Sequence, residues 1–522
     1  MNDINDFHGY LGLIGKFGSK PAVCDAISGR SLSYADLCER SYDIASRLDI
    51  GIGERVILYG LHPVDWTVVF LAIALKGGIA VPVDERVGND FFREIVKLTV
   101  PKLIIAGKDV FADAVAKILT FDDISNLEKK PFESGDFTDC PCEIIFTSGT
   151  WADPKGVTLS QRNILSNTRQ LLAAYHEKRT DVFLGILPLS HSYQQVFGLF
   201  APLARGAQVV FLSEINSIDM KNAIRDYQVA AIPLVPGVLS MLRNAIVREI
   251  RYPRLRDLFI RLVPSFRHLP LFVRRMLFAD IHRSIGTSLR YLISGGAPLD
   301  AELDCFFQGI GYVVYVGYGL SECSPVVSAC LRQRRTVGEV GPPLPGVDVS
   351  VGKDGEIIVK GENVCMGYWP DVSGMGTCGT GDLGYVARNG SIILNGRSKN
   401  LIIFNNGQKI FCEDIERIVI GNNAVKDCCA IGIEHEDGQT VECIVCTEDD
   451  VDIDVGKVLR ESNAKMPFGM RIWAVHRVNR NDFFYTHTMK IDRKNVRKLL
   501  YARQRDSDTD ATGHSDHQDE IA

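Results

Sequence analysis

The chain has 522 residues, 46% of them hydrophobic, and a formal net charge of −6. This length exceeds one hydrophobic core and predicts two to four folding units. The composition excludes a fibrous or wholly disordered chain, and the acidic balance excludes nucleic-acid binding driven by a basic surface. The 14 cysteines are scattered along the chain, which favours reduced thiols over a disulfide framework.

Short runs rich in β-branched residues alternate with helical segments through the first half of the chain. Arg55–Tyr59, Ile79–Val83 and Lys102–Ala106 are typical of strands, and Trp66–Lys76 is typical of a helix. The same alternation predicts further strands at Phe183–Pro188, Gln208–Leu212, Ala230–Val235 and Leu289–Ser294. Strands separated by helices of this length predict an α/β fold, with doubly wound sheets in a large amino-terminal domain.

Beyond residue 337 the pattern changes. Residues 337–346 are turn-rich, and the runs Glu356–Val359 and Ser391–Leu394 predict a small subdomain of antiparallel strands. Strand and helix patterns resume after Gly396 and predict a small, mobile α/β carboxy-terminal domain. The expected organisation is an amino-terminal domain over 1–395, a carboxy-terminal domain over 396–502 and a disordered acidic tail over 503–522.

The chain is expected to be cytoplasmic. Its start has no basic segment followed by an apolar one, as a signal peptide would. The longest apolar runs, Thr67–Leu75 and Val196–Ala204, are well short of the roughly 20 residues that a membrane-spanning helix needs.

The sharpest local signal is a buried apolar run that leads into a loop of hydroxyl residues, glycines and one lysine. It extends from Ile144 to Gly156 and reads IIFTSGTWADPKG. Hydroxyl and backbone N–H groups can donate to a polyphosphate, glycine lets the backbone approach it, and lysine supplies charge. The Gly-Lys-Ser/Thr ending of a Walker A loop is absent. By composition alone, a phosphate loop and an ordinary polar turn both stay open.

This stretch resembles the phosphate-loop signature of the adenylate-forming superfamily, which includes acyl-CoA synthetases, peptide-synthetase adenylation domains and luciferases. Other landmarks of that superfamily follow in its order at Ser33–Leu37, Gly53–Val56, Pro188–Tyr193, Ser294–Leu299, Gly317–Glu322, Thr380–Gly384, Gly396–Asn400 and Thr486–Arg493. The match covers about residues 20 to 500. The chain is identified as a member of the superfamily, closest in character to long-chain fatty acid–CoA ligases.

The resemblance implies ATP, Mg²⁺ and CoA as the small molecules, and Lys490, Glu322 and Thr147 as the catalytic residues. Glu322 is an oxygen donor suited to Mg²⁺, which keeps few protein ligands. Lys490 matches the family lysine that steers the carboxylate and stabilises the charged phosphorus. The implied nucleotide contacts are Ser148, Gly149, Thr150, Lys155, Gly295, Gly296, Ala297, Tyr318, Gly319, Ser321, Asp382 and Arg397.

The resemblance also implies which residues bind the acid and which lie near the thiol substrate. The acid pocket is implied to include His191, Ser192, Tyr193 and Gly317. His191 could be a general base, but no acid in the sequence is placed to orient it, which favours a structural pocket histidine. Lys399 falls at the family's hinge between domains, and the segment around Gly407 resembles the CoA side.

The chain departs from the family pattern at three positions. Trp151 puts bulk where a small residue is usual, Met489 replaces the glycine before the lysine, and Cys412 replaces a common proline. None of these changes removes a charged catalytic group. The machinery is therefore expected to be intact.

The segments Met276–Gly286 and Asn406–Glu416 resemble long-chain acyl-CoA synthetases specifically. The expected reaction is therefore activation of a medium- or long-chain fatty acid to acyl-AMP, followed by thioester formation with CoA. Two alternatives within the class are a ligase that loads an acyl carrier protein and an aryl-acid ligase. Outside the class, the alternative is a degenerate nucleotide-binding module.

Ten arginines lie between Arg243 and Arg283, interleaved with leucine, isoleucine and phenylalanine. Such a basic, apolar stretch suits peripheral contact with an anionic membrane surface. The alternative is a surface helical pair whose arginines pair internally or meet the phosphates of CoA.

Overall fold

The computed structural model describes residues 4–498 except 109–115, 133–134, 151–152, 176–180, 251–252, 332–334, 373, 405, 423, 436–437, 448–451, 480–482, 484–490 and 494. The chain divides into two compact units. The first comprises Met1–Thr380 and Gly384–Leu394, and the second comprises Gly381–Leu383 and Asn395–Ala522. The predicted tail at 503–522 lies outside the described residues.

The first unit contains an eight-stranded sheet. Its strands, in spatial order, are β14 (Val326–Cys330), β13 (Val313–Gly319), β12 (Tyr291–Ser294), β11 (Ala231–Leu234), β9 (Val182–Gly185), β10 (Gln208–Phe211), β1 (Pro21–Asp25) and β2 (Ser31–Ser33). The pairs from β13 to β1 are parallel, and β14 and β2 close the two edges as antiparallel strands. The predicted strand at Phe183–Pro188 is therefore present but ends at Gly185.

A seven-stranded sheet lies in the same unit. Its spatial order is β18 (Gly367–Trp369), β8 (Asp153–Ser160), β7 (Pro141–Thr150), β4 (Ile79–Val83), β3 (Arg55–Tyr59), β5 (Leu103–Ala106) and β6 (Lys117–Leu119). The strands from β7 to β6 are parallel, whereas β8 is antiparallel to both β7 and β18.

Both sheets carry apolar residues on both faces. One large core joins facing residues of the two sheets, such as Val23 and Val56. A second core lies on the other face of the eight-stranded sheet and includes Ile232, and a third lies on the other face of the seven-stranded sheet and includes Val81. Sheets buried on both faces are typical of doubly wound α/β folds.

The helices of this unit connect and cover the strands. They are α1 (Phe7–Ile14), α2 (Tyr34–Arg47), α3 (Pro63–Leu75), α4 (Asn89–Thr99), α5 (Phe121–Ser125), α6 (Gln161–Ala174), α7 (Ser192–Gln195), α8 (Ala201–Ala204), α9 (Ser217–Asp226), α10 (Pro236–Arg248), α11 (Pro253–Leu262), α12 (Leu271–Leu277), α13 (Ala279–Ile285) and α14 (Ala301–Gly309). Helix α3 is buried from Val64 to Leu75, as expected for a helix that is apolar on every side. Across the described residues, no helix has the length and apolarity to cross a bilayer.

A five-stranded sheet forms the predicted β-rich part. Its order is β15 (Glu339–Gly341), β20 (Ile392–Arg397), β19 (Thr377–Val386), β17 (Glu356–Lys360) and β16 (Asp348–Val351). Strand β15 is antiparallel to β20, and β16 is antiparallel to β17.

The second unit has its own small core. Strands β21 (Leu401–Ile403) and β22 (Lys409–Phe411) form a hairpin, and β23 (Asp427–His435), β24 (Gly438–Cys446) and β25 (Ile472–Arg477) form a three-stranded sheet. Helices α15 (Cys412–Ile420) and α16 (Val455–Asn463) supply residues such as Ile415 and Val458 to its core. The predicted α/β fold, with a large amino-terminal part and a small carboxy-terminal part, is confirmed.

A buried carboxyl group links β7 to the loop before α7. Glu143 is fully buried, and its Oε1 accepts a hydrogen bond from Gln195 Nε2 at 2.5 Å. The same Nε2 donates to the Leu189 carbonyl at 2.8 Å. Burial raises the pKa of Glu143 to about 8, although the hydrogen bond from Gln195 lowers it. The carboxyl group of Glu143 is therefore neutral near pH 6.

This carboxyl group makes folding stability depend on pH. Between the ordinary pKa of 4.5 and about 8, the folded state binds a proton that the unfolded state releases. The free energy of unfolding therefore falls as pH rises through this window. Glu143→Gln keeps an acceptor for Gln195 but cannot ionise. Between pH 5 and pH 8 the free energy of unfolding should fall less for this variant than for the wild type, by on the order of a few kcal/mol.

Urea unfolding at pH 5, 6.5 and 8 measures this difference. Glu94→Gln, on the exposed side of α4 and paired with Lys97, is the control and should follow the wild type. Parallel pH profiles for the wild type and Glu143→Gln would contradict the expectation.

Candidate active site

Strands β7 and β8 form the hairpin that carries the predicted phosphate loop. The backbone of Thr147, Ser148, Gly149 and Thr150 continues β7, and Thr147 pairs with Lys155 of β8. Trp151 lies outside the described residues, and the Lys155 side chain is exposed. Residues 147–150 and Lys155, expected in a loop, are therefore strand residues of a hairpin, because the pairing of β7 with β8 continues past the apolar run.

Strand β18 pairs with the other edge of β8, with Tyr368 opposite Val157. Because paired residues share a face of the sheet, and so do residues two apart, Tyr368 and Lys155 lie on one face. The Lys155 ammonium lies 5.4 Å from the centroid of the Tyr368 ring. The Tyr368 hydroxyl donates to Glu322 Oε1 at 3.0 Å. The structure thereby brings Lys155 and Glu322 to one tyrosine.

Glu322 lies in a short turn, Ser321–Cys323, that follows β13. Its carbonyl accepts a hydrogen bond from Cys365 N at 2.8 Å, and Asn363 Nδ2 donates to the Cys323 carbonyl at 2.9 Å. The segment before β18 therefore supports the turn. Among the described residues no cluster of three His, Cys, Asp or Glu side chains forms a complete metal site. The carboxylate of Glu322 offers oxygen donors, which suit a cation such as Mg²⁺ that takes most of its ligands from substrate phosphates and water.

The Tyr368 phenol is protonated at neutral pH. Burial raises its pKa, and the charge of Glu322 and the hydrogen bond to it raise the pKa further. The hydroxyl is therefore a permanent donor to the carboxylate.

The predicted adenine-side loop follows β12 and contacts Tyr193. The Tyr193 hydroxyl donates to the Ile293 carbonyl at 2.9 Å. A Cβ on Gly295 would lie 2.9 Å from the Tyr193 ring, so only glycine lets the ring approach this closely. Gly296 has a φ of 78°, a conformation that glycine adopts readily. The structure thus joins a predicted acid-pocket residue to the predicted nucleotide loop.

Asp84, which no motif in the sequence marks, follows β4, and its carboxylate interacts electrostatically with His191. Burial alone would raise the pKa of Asp84, but hydrogen bonds from Arg86 and the charges of Arg86 and His191 hold it below its ordinary value. Asp84 is therefore ionised near neutral pH. Asp84 lies at the carboxyl end of a parallel strand, and this position could have indicated a site residue from the sequence.

The remaining predicted residues of the first unit lie on the same elements. Ser192 is buried at the start of α7, and Tyr318 is buried on β13. Gly317 and Gly319 are on β13, Ser321 begins the turn that holds Glu322, and Ala297 lies in the loop after β12.

In the second unit, Arg397 Nε lies 2.9 Å from Asp382 Oδ1, and Asp382 is buried. The structure thus brings these two predicted nucleotide contacts together. Lys399 lies in the short turn Ser398–Asn400, and Gly407 has a φ of 77° in the loop between β21 and β22. Lys490 and Met489 lie outside the described residues.

Two glycines of β13 provide a matched test of this architecture. A Cβ on Gly319 would lie 1.7 Å from the Pro325 carbonyl oxygen, which also accepts a hydrogen bond from Leu320 N. A Cβ on Gly317 would meet no atom within 4 Å. Gly319→Ala should therefore destabilise the protein by about 1–3 kcal/mol, and Gly317→Ala should not. Thermal unfolding of both variants measures this, and equal midpoints would refute the close approach.

Comparison with known proteins gives a consistent family. The model of the family described as AMP-binding enzyme matches residues 14–369. The chain is 25% identical to long-chain-fatty-acid–CoA ligase FadD15 of Mycobacterium bovis, over 70% of this chain and 68% of the relative. It is 25% identical to the long-chain-fatty-acid–[acyl-carrier-protein] ligase AEE15 of Arabidopsis thaliana, over 61% and 52%. It is 23% identical to the malonate–CoA ligase ACSF3 of Mus musculus, over 93% and 89%.

Solved structures share the fold. ATP-bound MatB from Rhodopseudomonas palustris superposes with a TM-score of 0.76 at 23% identity, covering 94% of this chain and 99% of that one. The o-succinylbenzoate–CoA synthetase MenE from Bacillus subtilis, in complex with ATP and magnesium ion, gives 0.76 at 18% identity, covering 93% and 98%. Because the family match covers more than half of the chain, the protein belongs to the AMP-binding enzyme family, the adenylate-forming superfamily that its motifs predict.

Proposed function

We propose that this protein activates a medium- or long-chain fatty acid with ATP and transfers the acyl group to CoA. The observation that carries the proposal is the meeting of Lys155 and Glu322 at Tyr368. A cation for phosphate oxygens and a carboxylate for Mg²⁺ lie beside a hairpin rich in hydroxyl residues and glycine. This combination suits a magnesium–triphosphate substrate.

The reaction class follows from the family. The protein is an AMP-forming acid–CoA ligase, and ATP and CoA are its substrates. The relatives act on different acids, including long-chain fatty acids and malonate. The family therefore gives the class of reaction, whereas the identity of the acid is part of the proposal.

In the first half-reaction the acid's carboxylate attacks the α-phosphorus of ATP, and pyrophosphate leaves. Lys155 and the hydroxyl residues from Thr147 to Thr150 orient the triphosphate, and Ser321 donates to the α-phosphate. Lys490 steers the carboxylate and stabilises the charge that develops on phosphorus. When bound, Mg²⁺ held by Glu322 neutralises phosphate charge.

In the second half-reaction the thiol of CoA attacks the acyl carbonyl of acyl-AMP, a thioester forms and AMP leaves. Asp382 and Arg397 hold the ribose, for which a carboxylate offers two acceptor oxygens. The proposal divides the chain into domains at 1–395 and 396–502. The smaller domain turns about Lys399, withdraws Lys490 and brings the Gly407 segment to CoA.

The choice of a fatty acid rests on resemblance and on relatives. Met276–Gly286 and Asn406–Glu416 resemble long-chain enzymes, and FadD15 is named for long-chain fatty acids. A carrier-protein acceptor is the second candidate, because AEE15 is named for that acceptor. The two candidates differ in whether free CoA stimulates turnover.

The decisive measurement is pyrophosphate release from Mg-ATP with short, long-chain and aryl acids, each with and without CoA. Long-chain acids with CoA should give repeated turnover. Lys490→Ala should lower that rate at least a hundredfold, because it removes charge stabilisation worth several kcal/mol in the transition state. Lys498→Ala, at an exposed lysine later in the chain, should leave the rate unchanged.

Other outcomes identify the alternatives. Release limited to one turnover with CoA, but repeated with an acyl carrier protein, identifies the carrier as the acceptor. Turnover with aryl acids alone overturns the fatty-acid assignment. ATP binding without release for any acid identifies a nucleotide-binding module.

The proposal includes contact between residues 243–283 and an anionic membrane surface, where long-chain acids partition. Helices α11 and α12 and the segment between them expose large apolar side chains. These are Leu258, Leu262, Leu269, Leu271, Phe272, Met276 and Leu277. An apolar groove of about 390 Å³ lies beside them, lined by Ile250, Leu258, Phe259, Leu262, Phe266 and Leu277 among others.

The arginines of this region favour anionic lipid as the occupant. Arg256 donates to the Ile250 carbonyl and Arg275 to the Leu289 carbonyl. These bonds satisfy N–H groups but leave the positive charges in place. Arg283 instead pairs with Asp280, as the alternative of internal pairing expects. Apolar side chains bordered by such charges suit the interface of an anionic bilayer.

Flotation with vesicles tests this contact. The wild type should float with phosphatidylcholine–phosphatidylglycerol vesicles and much less with phosphatidylcholine alone. Phe272→Asp with Met276→Asp should reduce flotation at least fivefold, because two exposed apolar groups are lost and negative charge is added. Ile218→Asp, which changes an exposed apolar residue on α9, is the control. No flotation of the wild type would overturn the membrane contact.

A further inference from the structure

Tyr368 contacts both charged groups of the candidate triphosphate site. Its ring lies under the Lys155 ammonium at 5.4 Å, and its hydroxyl donates to Glu322 Oε1 at 3.0 Å. One side chain therefore contacts a cation and an anion through two different parts. The aromatic face attracts the cation, and the hydroxyl binds the anion.

The position of Tyr368 is set by its strand. Strand β18 pairs with β8 over three residues, so that Gly367, Tyr368 and Trp369 lie opposite Thr158, Val157 and Gly156. On the opposite face, Trp369 Nε1 donates to the Leu98 carbonyl at 2.9 Å, and Arg55 lies over the indole at 5.6 Å. With its neighbour anchored on the opposite face, Tyr368 is held toward Lys155 and Glu322.

The same segment holds the backbone of the glutamate. Cys365, three residues before Tyr368, donates its N–H to the Glu322 carbonyl at 2.8 Å. Backbone and side chain of Glu322 are thus both bound by residues 365–368. The hydroxyl engages one oxygen of the carboxylate and thereby orients the other.

From this geometry we infer that Tyr368 is a positioning residue. It holds the side chains of Lys155 and Glu322 in fixed relative positions, so that the triphosphate and its Mg²⁺ bind as one unit. The inference rests on the proposed function for the identity of the ligand. The hydroxyl acts on the cation through Glu322, and the ring acts on the phosphates through Lys155. The two parts of the side chain therefore have separable effects.

Two variants separate these effects. Tyr368→Phe removes only the hydroxyl, so the Mg²⁺ concentration that gives half-maximal ATP binding should rise about tenfold, as for loss of one charged hydrogen bond. ATP affinity at saturating Mg²⁺ should change less than twofold. Tyr368→Leu also removes the ring and should weaken ATP binding at saturating Mg²⁺ severalfold. Tyr385→Phe, at an exposed tyrosine of β19, should match the wild type.

Calorimetric titration of ATP at a series of Mg²⁺ concentrations, without any acid, measures these effects. It does not require the acid substrate to be known, so a failed pyrophosphate assay leaves this test intact. Thermal unfolding of Tyr368→Phe should match the wild type, which separates positioning from folding.

A double variant tests the route through the glutamate. In a Glu322→Gln background, Tyr368→Phe should add little to the loss of Mg²⁺ dependence, because its partner charge is already gone. An unchanged Mg²⁺ dependence in Tyr368→Phe would overturn the inference. An equal further loss in the Glu322→Gln background would also overturn it.

Discussion

Strand β8 is hydrogen-bonded on both edges, and this double pairing decides where the charged groups of the candidate site lie. Strand β7 brings the phosphate loop to one edge, and β18 brings Tyr368 to the other. Because side chains alternate along a strand, the register of both pairings sets which residues share a face. A shift of one residue in β18 would turn Tyr368 away from Lys155 and Glu322 and leave Trp369 in its place.

The buried interior of the first unit supports this arrangement at a distance. The chain buries apolar residues on both faces of two sheets, so the strand ends that carry the loops are held by large cores. Within this interior, Glu143 and Gln195 connect the base of β7 to the segment that carries His191. A buried polar link is costly unless its groups are paired. The Glu143–Gln195 pair connects a strand and a loop that each lead to the candidate site, so it helps to hold them together.

The family and the local geometry answer different questions. Membership of the AMP-binding enzyme family sets the class of reaction. The acid depends on the shape of a pocket, and relatives with similar motifs are named for fatty acids and for malonate. The contact of Tyr193 with the Gly295 loop joins a predicted acid-pocket residue to the predicted nucleotide loop. The two predicted sites therefore share structural elements.

The sequence by itself determined the fold class and the family, and it predicted most of the charged residues of the candidate site, because strand periodicity and short motifs are local properties of the chain. Arg55–Tyr59 and Ile79–Val83 are strands with the predicted bounds, and Asp382 and Arg397, both predicted nucleotide contacts, form an ion pair. Only the tertiary structure decided that Tyr368 contacts Lys155 and Glu322, that Asp84 interacts electrostatically with His191, and that Glu143 is buried and binds Gln195. These contacts join residues far apart in the chain. Their formation depends on strand order and register, which no local pattern of residues specifies.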